Sequence, residues 1–116
     1  MNLNAIDTDE LKIISTILQD GLIEVNDIKY LPSIRSFFLM ITRFMWEEKI
    51  VNKVDQRIKA VLSFEDVLSV YSKNIEIELL FKNDAIIKLE TEIIRCKLED
   101  QGEPWNIEKI ENDKNN

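Results

Sequence analysis

The chain has no histidine, one cysteine, two glycines and two prolines among its 116 residues. Each shortage removes a class of chemistry. Without histidine the commonest general base near neutral pH is missing, as is the commonest imidazole ligand, so Ser-His catalysis and zinc sites are excluded. Cys96 cannot close an internal disulfide, and a lone thiol fits a reducing, cytoplasmic setting better than a secreted framework. Two glycines leave little material for the loops that cradle phosphates. The longest apolar run is too short to cross a bilayer. The opening Met1-Asn2-Leu3-Asn4-Ala5-Ile6-Asp7 has neither the basic region nor the apolar core of a targeting segment.

What is present sets further limits. Acidic residues outnumber basic ones by 22 to 15, a formal charge of -7, which disfavours a phosphate backbone and an anionic membrane surface as partners. The acids are scattered without blocks and read as a solvated surface. A chain of this length buries a core without disulfides or a structural metal. One domain over residues 1–105 is expected, followed by a polar tail, 106–116, that frays.

The run Phe37-Phe38-Leu39-Met40-Ile41-Thr42-Arg43-Phe44-Met45-Trp46 carries apolar groups on both faces of a strand and predicts the central strand of the core, covered on both sides. Arg43 is the one charge inside it. Upstream, Ile6-Asp7-Thr8-Asp9-Glu10-Leu11 is a helix start, with Asp7 as cap, Glu10 closing a capping box and Ile6 stapled on Leu11. Leu11, Ile14 and Leu18, widened by Ile13 and Ile17, form the apolar stripe of that helix, and Gly21 is placed for a left-handed end. Asp7 and Asp9 are explained by the cap and the helix dipole before any metal need be invoked.

Leu22 to Leu31 and Ser36 to Trp46 read as a hairpin turned at Pro32-Ser33. Residues 47–57 form a charged connection with a short helical turn, in which Lys49, Lys53 and Arg57 face solvent or a weak anion site. Ile58, Ala60, Leu62 and Phe64 then share one strand face, continued by Leu68 and Val70 after a bend near Glu65. Parity sets Phe81 opposite Ala85 and Leu79 opposite Ile87, which requires a three-residue turn at Lys82-Asn83-Asp84 and leaves Glu78 and Lys88 outside. A short strand from Ile93 to Leu98, open as an edge, places Cys96 and Leu98 together. Gln101 to Trp105 reads as a proline-fixed turn that folds the Trp105 ring back over the sheet.

These elements predict an α+β fold: an N-terminal helix on a strongly bent antiparallel sheet of about six or seven strands, curling at its limit into a half-open barrel. A pleckstrin-homology-like barrel is the fold-level analogue. Leu18-Gln19-Asp20, Tyr30-Leu31-Pro32, Arg43-Phe44-x-Trp46-Glu47, Phe64-x-x-Val67-Leu68-x-Val70 and Gly102-x-Pro104-Trp105 stand in an order that resembles the bacterial domain-of-unknown-function 2948 family across residues 3–105. The chain departs from the pattern in a shorter connection between Tyr71 and Ile75 and in Met45 where a basic residue is expected. The resemblance implies a cytoplasmic domain and carries over no catalytic residue.

Three functions are compatible with the residues. A non-enzymatic interaction module is favoured, binding a protein partner or a second copy through anchors such as Tyr30, Trp46, Tyr71 and Trp105. The alternative is an anionic small-molecule site centred on Arg43, with Tyr30, Glu47 or Arg57 beside it. An arginine among Phe37, Leu39, Ile41 and Met45 must pair internally with Glu47, Asp27 or Glu65, escape to solvent, or meet a ligand. The third is hydrolysis by carboxylates, for which no pair is singled out. Cys96 reads as a buried structural thiol. No cofactor or metal is expected.

Overall fold

The computed structural model describes residues 1–73 and 86–107. Among them, seven strands and two α-helices form an α+β fold. Strands β1 (Asn2–Ala5), β2 (Ile28–Leu31), β3 (Ser36–Phe44), β4 (Gln56–Phe64) and β7 (Cys96–Asn106) make one antiparallel sheet in the order β1-β7-β4-β3-β2. Strands β5 (Val67–Lys73) and β6 (Ile86–Thr91) form a separate ribbon. Among the described residues the sheet is open, with β1 and β2 at its edges, and does not close into a barrel.

The inner face of the sheet is dictated by alternation. Phe37, Leu39 and Ile41 of β3 lie in register with Phe64, Leu62 and Ala60 of β4, which in turn meet Cys96, Leu98 and Asp100 of β7. Helix α1 (Thr8–Ile17) lays Leu11, Ile14 and Ile17 on this layer, and Val70, Ile87 and Leu89 of the ribbon join it. The cap is as expected at Asp7, whose Oδ1 accepts the Glu10 amide at 2.8 Å. The return bond of Glu10 goes one residue earlier, from the Ile6 amide at 3.1 Å. Ile6 is exposed, so the staple on Leu11 is not formed.

The left-handed residue after α1 is Asp20, at φ 62°. Gly21 serves a different need: a Cβ there would stand 2.4 Å from Ile41 Cδ1 and 3.0 Å from the Leu18 carbonyl oxygen. Glycine lets the loop pass against the sheet before Leu22 pairs with Thr42.

Other expectations are corrected. The central place belongs to β4, and β3 buries its inner face but on the outer one only Phe44, while Phe38, Met40 and Thr42 remain half-buried, because one side of an antiparallel sheet needs no covering layer. That strand stops at Phe44, and Trp46 opens helix α2 (Trp46–Asn52) with Glu47 and Glu48 in its first turn, where the helix dipole favours acids. Val67, rather than Leu68, is buried after the turn, because Asp66 at φ 55° and a register shift between Val67 and Ser69 reverse the parity.

Of the segment read as an edge from Ile93 to Leu98, only Cys96 to Leu98 are strand, and they open the interior strand β7, which is covered by β1 and continues through the residues read as a turn. Gly102, at φ 71°, and Pro104 lie where three β7 residues span one β4 residue between the Arg57–Trp105 and Lys59–Gln101 pairs. A bulge accepts proline because no ladder N–H is required there. The three-residue turn at Lys82-Asn83-Asp84, with the pairing of Leu79 and Phe81, lies outside the described residues, as does the tail from residue 108. Ile87 faces Ser72 of β5.

Candidate functional site

Arg43 projects from the inner face near the end of β3 and is fully buried. Asp100 stands across the sheet, two strands away, with the small Ala60 in register between Ile41 and Asp100. The first turn of α2 adds Glu47, four residues after Arg43. The geometry is doubly bidentate. Nε and Nη2 donate to Asp100 at 2.8 and 2.9 Å, and Nη1 and Nη2 donate to Glu47 at 3.0 and 2.6 Å. Nη1 also reaches the Phe44 carbonyl at 3.5 Å. The five N–H groups of a guanidinium are thus all directed at internal acceptors.

The electrostatics follow from this geometry. The Asp100 hydrogen bond raises Arg43 above its already high value, against the opposing effect of burial. The Arg43 hydrogen bond holds Glu47 below the usual carboxylate range. Burial pushes Asp100 up, but Arg43 and the N-terminal ammonium, 3.2 Å from Oδ2, outweigh it and hold this carboxyl low too. Both acids are therefore ionised partners of one cation, the opposite of a catalytic pair whose members are pushed apart.

The other expected site residues divide between the two ends of the sheet. Trp46 lies beside the cluster, its ring 4.6 Å from that of Phe44 and its Nε1–H donating to the Gln19 carbonyl at 3.1 Å. Arg57 stacks at 5.7 Å over Phe44 and donates to the carbonyls of Asp20 and Thr42, at 3.0 and 3.2 Å, which ties the α1 loop to the sheet. Trp105 pairs with Arg57 across the ladder but keeps 42% of its surface exposed, so it does not cap the core. Tyr30 sits at the opposite end, opposite Phe37, where its hydroxyl donates to the Val67 carbonyl at 2.9 Å. Arg43, Trp46, Glu47 and Arg57 thus share one end and Tyr30 does not.

Sequence reasoning missed Asp100. Only the antiparallel β4–β7 register brings it to Arg43, and reading residues 101–105 as a turn concealed that register. Lys49 is held by Asp55 at 3.0 Å. Cys96 is buried, and desolvation pushes its thiol up to about 11.

Two apolar clefts of about 450 and 520 Å³ lie beneath α1 and share Leu11, Leu39, Leu62 and Phe64. Among the described residues the only charged side chain lining either is Asp20. No helix among the described residues is long and apolar enough to cross a membrane.

No curated protein and no solved structure matches the chain. The model of a family described as "Protein of unknown function (DUF2948)" matches residues 1–78. That span holds β1 to β5 and with them Tyr30, Arg43, Trp46 and Glu47, whereas Asp100 and Trp105 lie beyond it. With two thirds of its length matched, the chain belongs to the DUF2948 family.

Proposed function

We propose that the protein is a non-catalytic interaction module of the cytoplasm, acting through a protein partner or a second copy of itself. The observation that carries this reading is the internal use of its most distinctive polar group. Arg43 directs every donor at Glu47, Asp100 and a backbone carbonyl, and no buried polar side-chain atom among the described residues lacks a partner. The cluster joins β3, α2 and β7 and leaves no donor for a substrate. Meanwhile Tyr71 and Trp105 expose 55% and 42% of their surfaces, as anchors at interfaces do before a partner covers them. The alternative, an anionic small molecule on Arg43, has weaker support because its carboxylate or phosphate would have to displace two bidentate pairs.

Native mass spectrometry of the purified protein separates the two readings. A dimer or a discrete complex with another polypeptide is the expected result. A small-molecule mass retained on every wild-type chain, and lost from a folded Arg43→Lys variant, would overturn the module in favour of the Arg43 site.

A further inference from the structure

The outer face of the five-stranded sheet has a composition unlike the rest of the chain. Both α1 and the β5–β6 ribbon pack on the inner face, and among the described residues no element lies over the middle of the outer one. Its centre is apolar, with Phe38, Met40 and Val61 half-buried. Around that centre the register places Lys29 opposite Phe38, Lys59 opposite Thr42 and Lys97 opposite Ser63, all three lysines exposed. With Arg57 and Arg95, five cations share this face with two carboxylates among the described residues: Glu99, 3.6 Å from Lys97, and Glu65, 3.2 Å from Arg95 in the recess that Phe38, Ser63 and Lys97 also line. The chain as a whole carries -7, so positive charge is concentrated where the sheet is open.

We propose that this face docks an acidic polypeptide segment in which two carboxylates flank an apolar side chain. The inference rests on the interaction-module reading and names its surface and partner class. Lys97 and Lys29 occupy one cross-strand ladder, on β7 and β2, three strand spacings apart, about 14 Å. An extended segment rises about 3.3 Å per residue, so residues four apart match that span and project to the same side. Carboxylates at the first and fifth positions meet Lys97 and Lys29, and the apolar third position meets Phe38 and its neighbours. Lys59 is positioned for a further acid. A single-stranded nucleic acid fits less well. The centre offers one ring and two aliphatic chains instead of a stacking platform, and the net charge repels a continuous polyphosphate.

The test is fluorescence anisotropy with a labelled peptide containing two Glu-Ser-Ile-Ser-Glu repeats, titrated with the full chain. Controls are the same peptide with Lys in place of Glu, and a labelled oligothymidylate. The expected result is saturable binding below about 1 mM that weakens at least about tenfold in the Lys29→Glu/Lys59→Glu/Lys97→Glu variant, checked for folding by circular dichroism. The Lys peptide should fail to bind. Undiminished binding to the triple variant would overturn this face while leaving an interaction module in place. Absence of saturable binding by the acidic peptide, or tighter binding of the oligothymidylate, would overturn the proposed partner class. A discrete complex in native mass spectra would still preserve the module, so the two readings fail separately.

Discussion

Replacing Arg43 by methionine removes one buried cation and leaves Asp100, with a side chain only 10% exposed, beside Glu47 without their shared partner. Removing one member of a buried ion pair costs about 3–5 kcal/mol, because the remaining charge stays desolvated. Glu47 is 38% exposed and can turn toward water, which places the loss near the lower end, about 3 kcal/mol. A chain of this size has a total stability of roughly 10 kcal/mol. At a urea slope of about 1.3 kcal/mol per molar, the midpoint should fall by about 2 M. Adding Asp100→Leu removes the stranded carboxylate and should recover most of the loss, since apolar replacement of a whole buried pair is close to neutral.

Acid provides a second reading of the same variant. In the wild type both carboxyls are held below their unfolded values, so they stabilise the fold above about pH 4.5 and that contribution is lost as pH falls through their folded values. In Arg43→Met the lowering influence of the guanidinium is gone, and only the N-terminal ammonium beside Asp100 still opposes burial, so the gap between variant and wild type should narrow as pH falls below about 4.5. Urea titrations followed by tryptophan fluorescence at pH 7 and pH 4 measure both effects. A loss under about 1 kcal/mol at pH 7, or a double variant as unstable as the sum of its singles, would refute the buried-triad account.

Three further outcomes are expected. Gly21→Ala should cost about 1–3 kcal/mol, because its Cβ meets Ile41 and a backbone carbonyl; Ile41→Val, which removes the nearest atom, should recover part of it in thermal melts. Trp105→Ala should change stability by less than about 1 kcal/mol, since the ring is 42% exposed and seals no core; a steep fall in melting temperature would place the ring in the packing after all. Cys96, buried and with its thiol pushed up to about 11, should react with a thiol reagent at pH 8 only after unfolding, and rapid modification of the native protein would show the inner layer to be open at β7.

What could be read from the residues depended on the distance over which each signal acts. The Asp7 cap and the alternation of Ile58, Ala60 and Leu62 are local, and both appear where expected. The internal pairing of Arg43 was partly legible: a charge amid Phe37, Leu39 and Ile41 had to pair, reach solvent or meet a ligand, and Glu47, four residues away, was one of three carboxylates offered as its partner. Asp100 was not legible, because its approach depends on a register shift in which Gly102 and Pro104 form a bulge inside a strand. A glycine and a proline close together normally signal a turn, and the same two residues serve a bulge when a neighbouring strand continues past them. The β1 strand was hidden for a related reason: Asn2-Leu3-Asn4-Ala5 is too short to show its alternation, and its role is set by the edge of β7 that it covers. The identity of the open face emerges from the same register. Lys29, Lys59 and Lys97 are unremarkable one at a time in the sequence, and only the pairing of four strands brings them around Phe38, Met40 and Val61. Function in this protein is therefore to be sought in what the strands place side by side on the outer face, while Arg43, the residue that stood out in the sequence, is engaged in joining β3, α2 and β7.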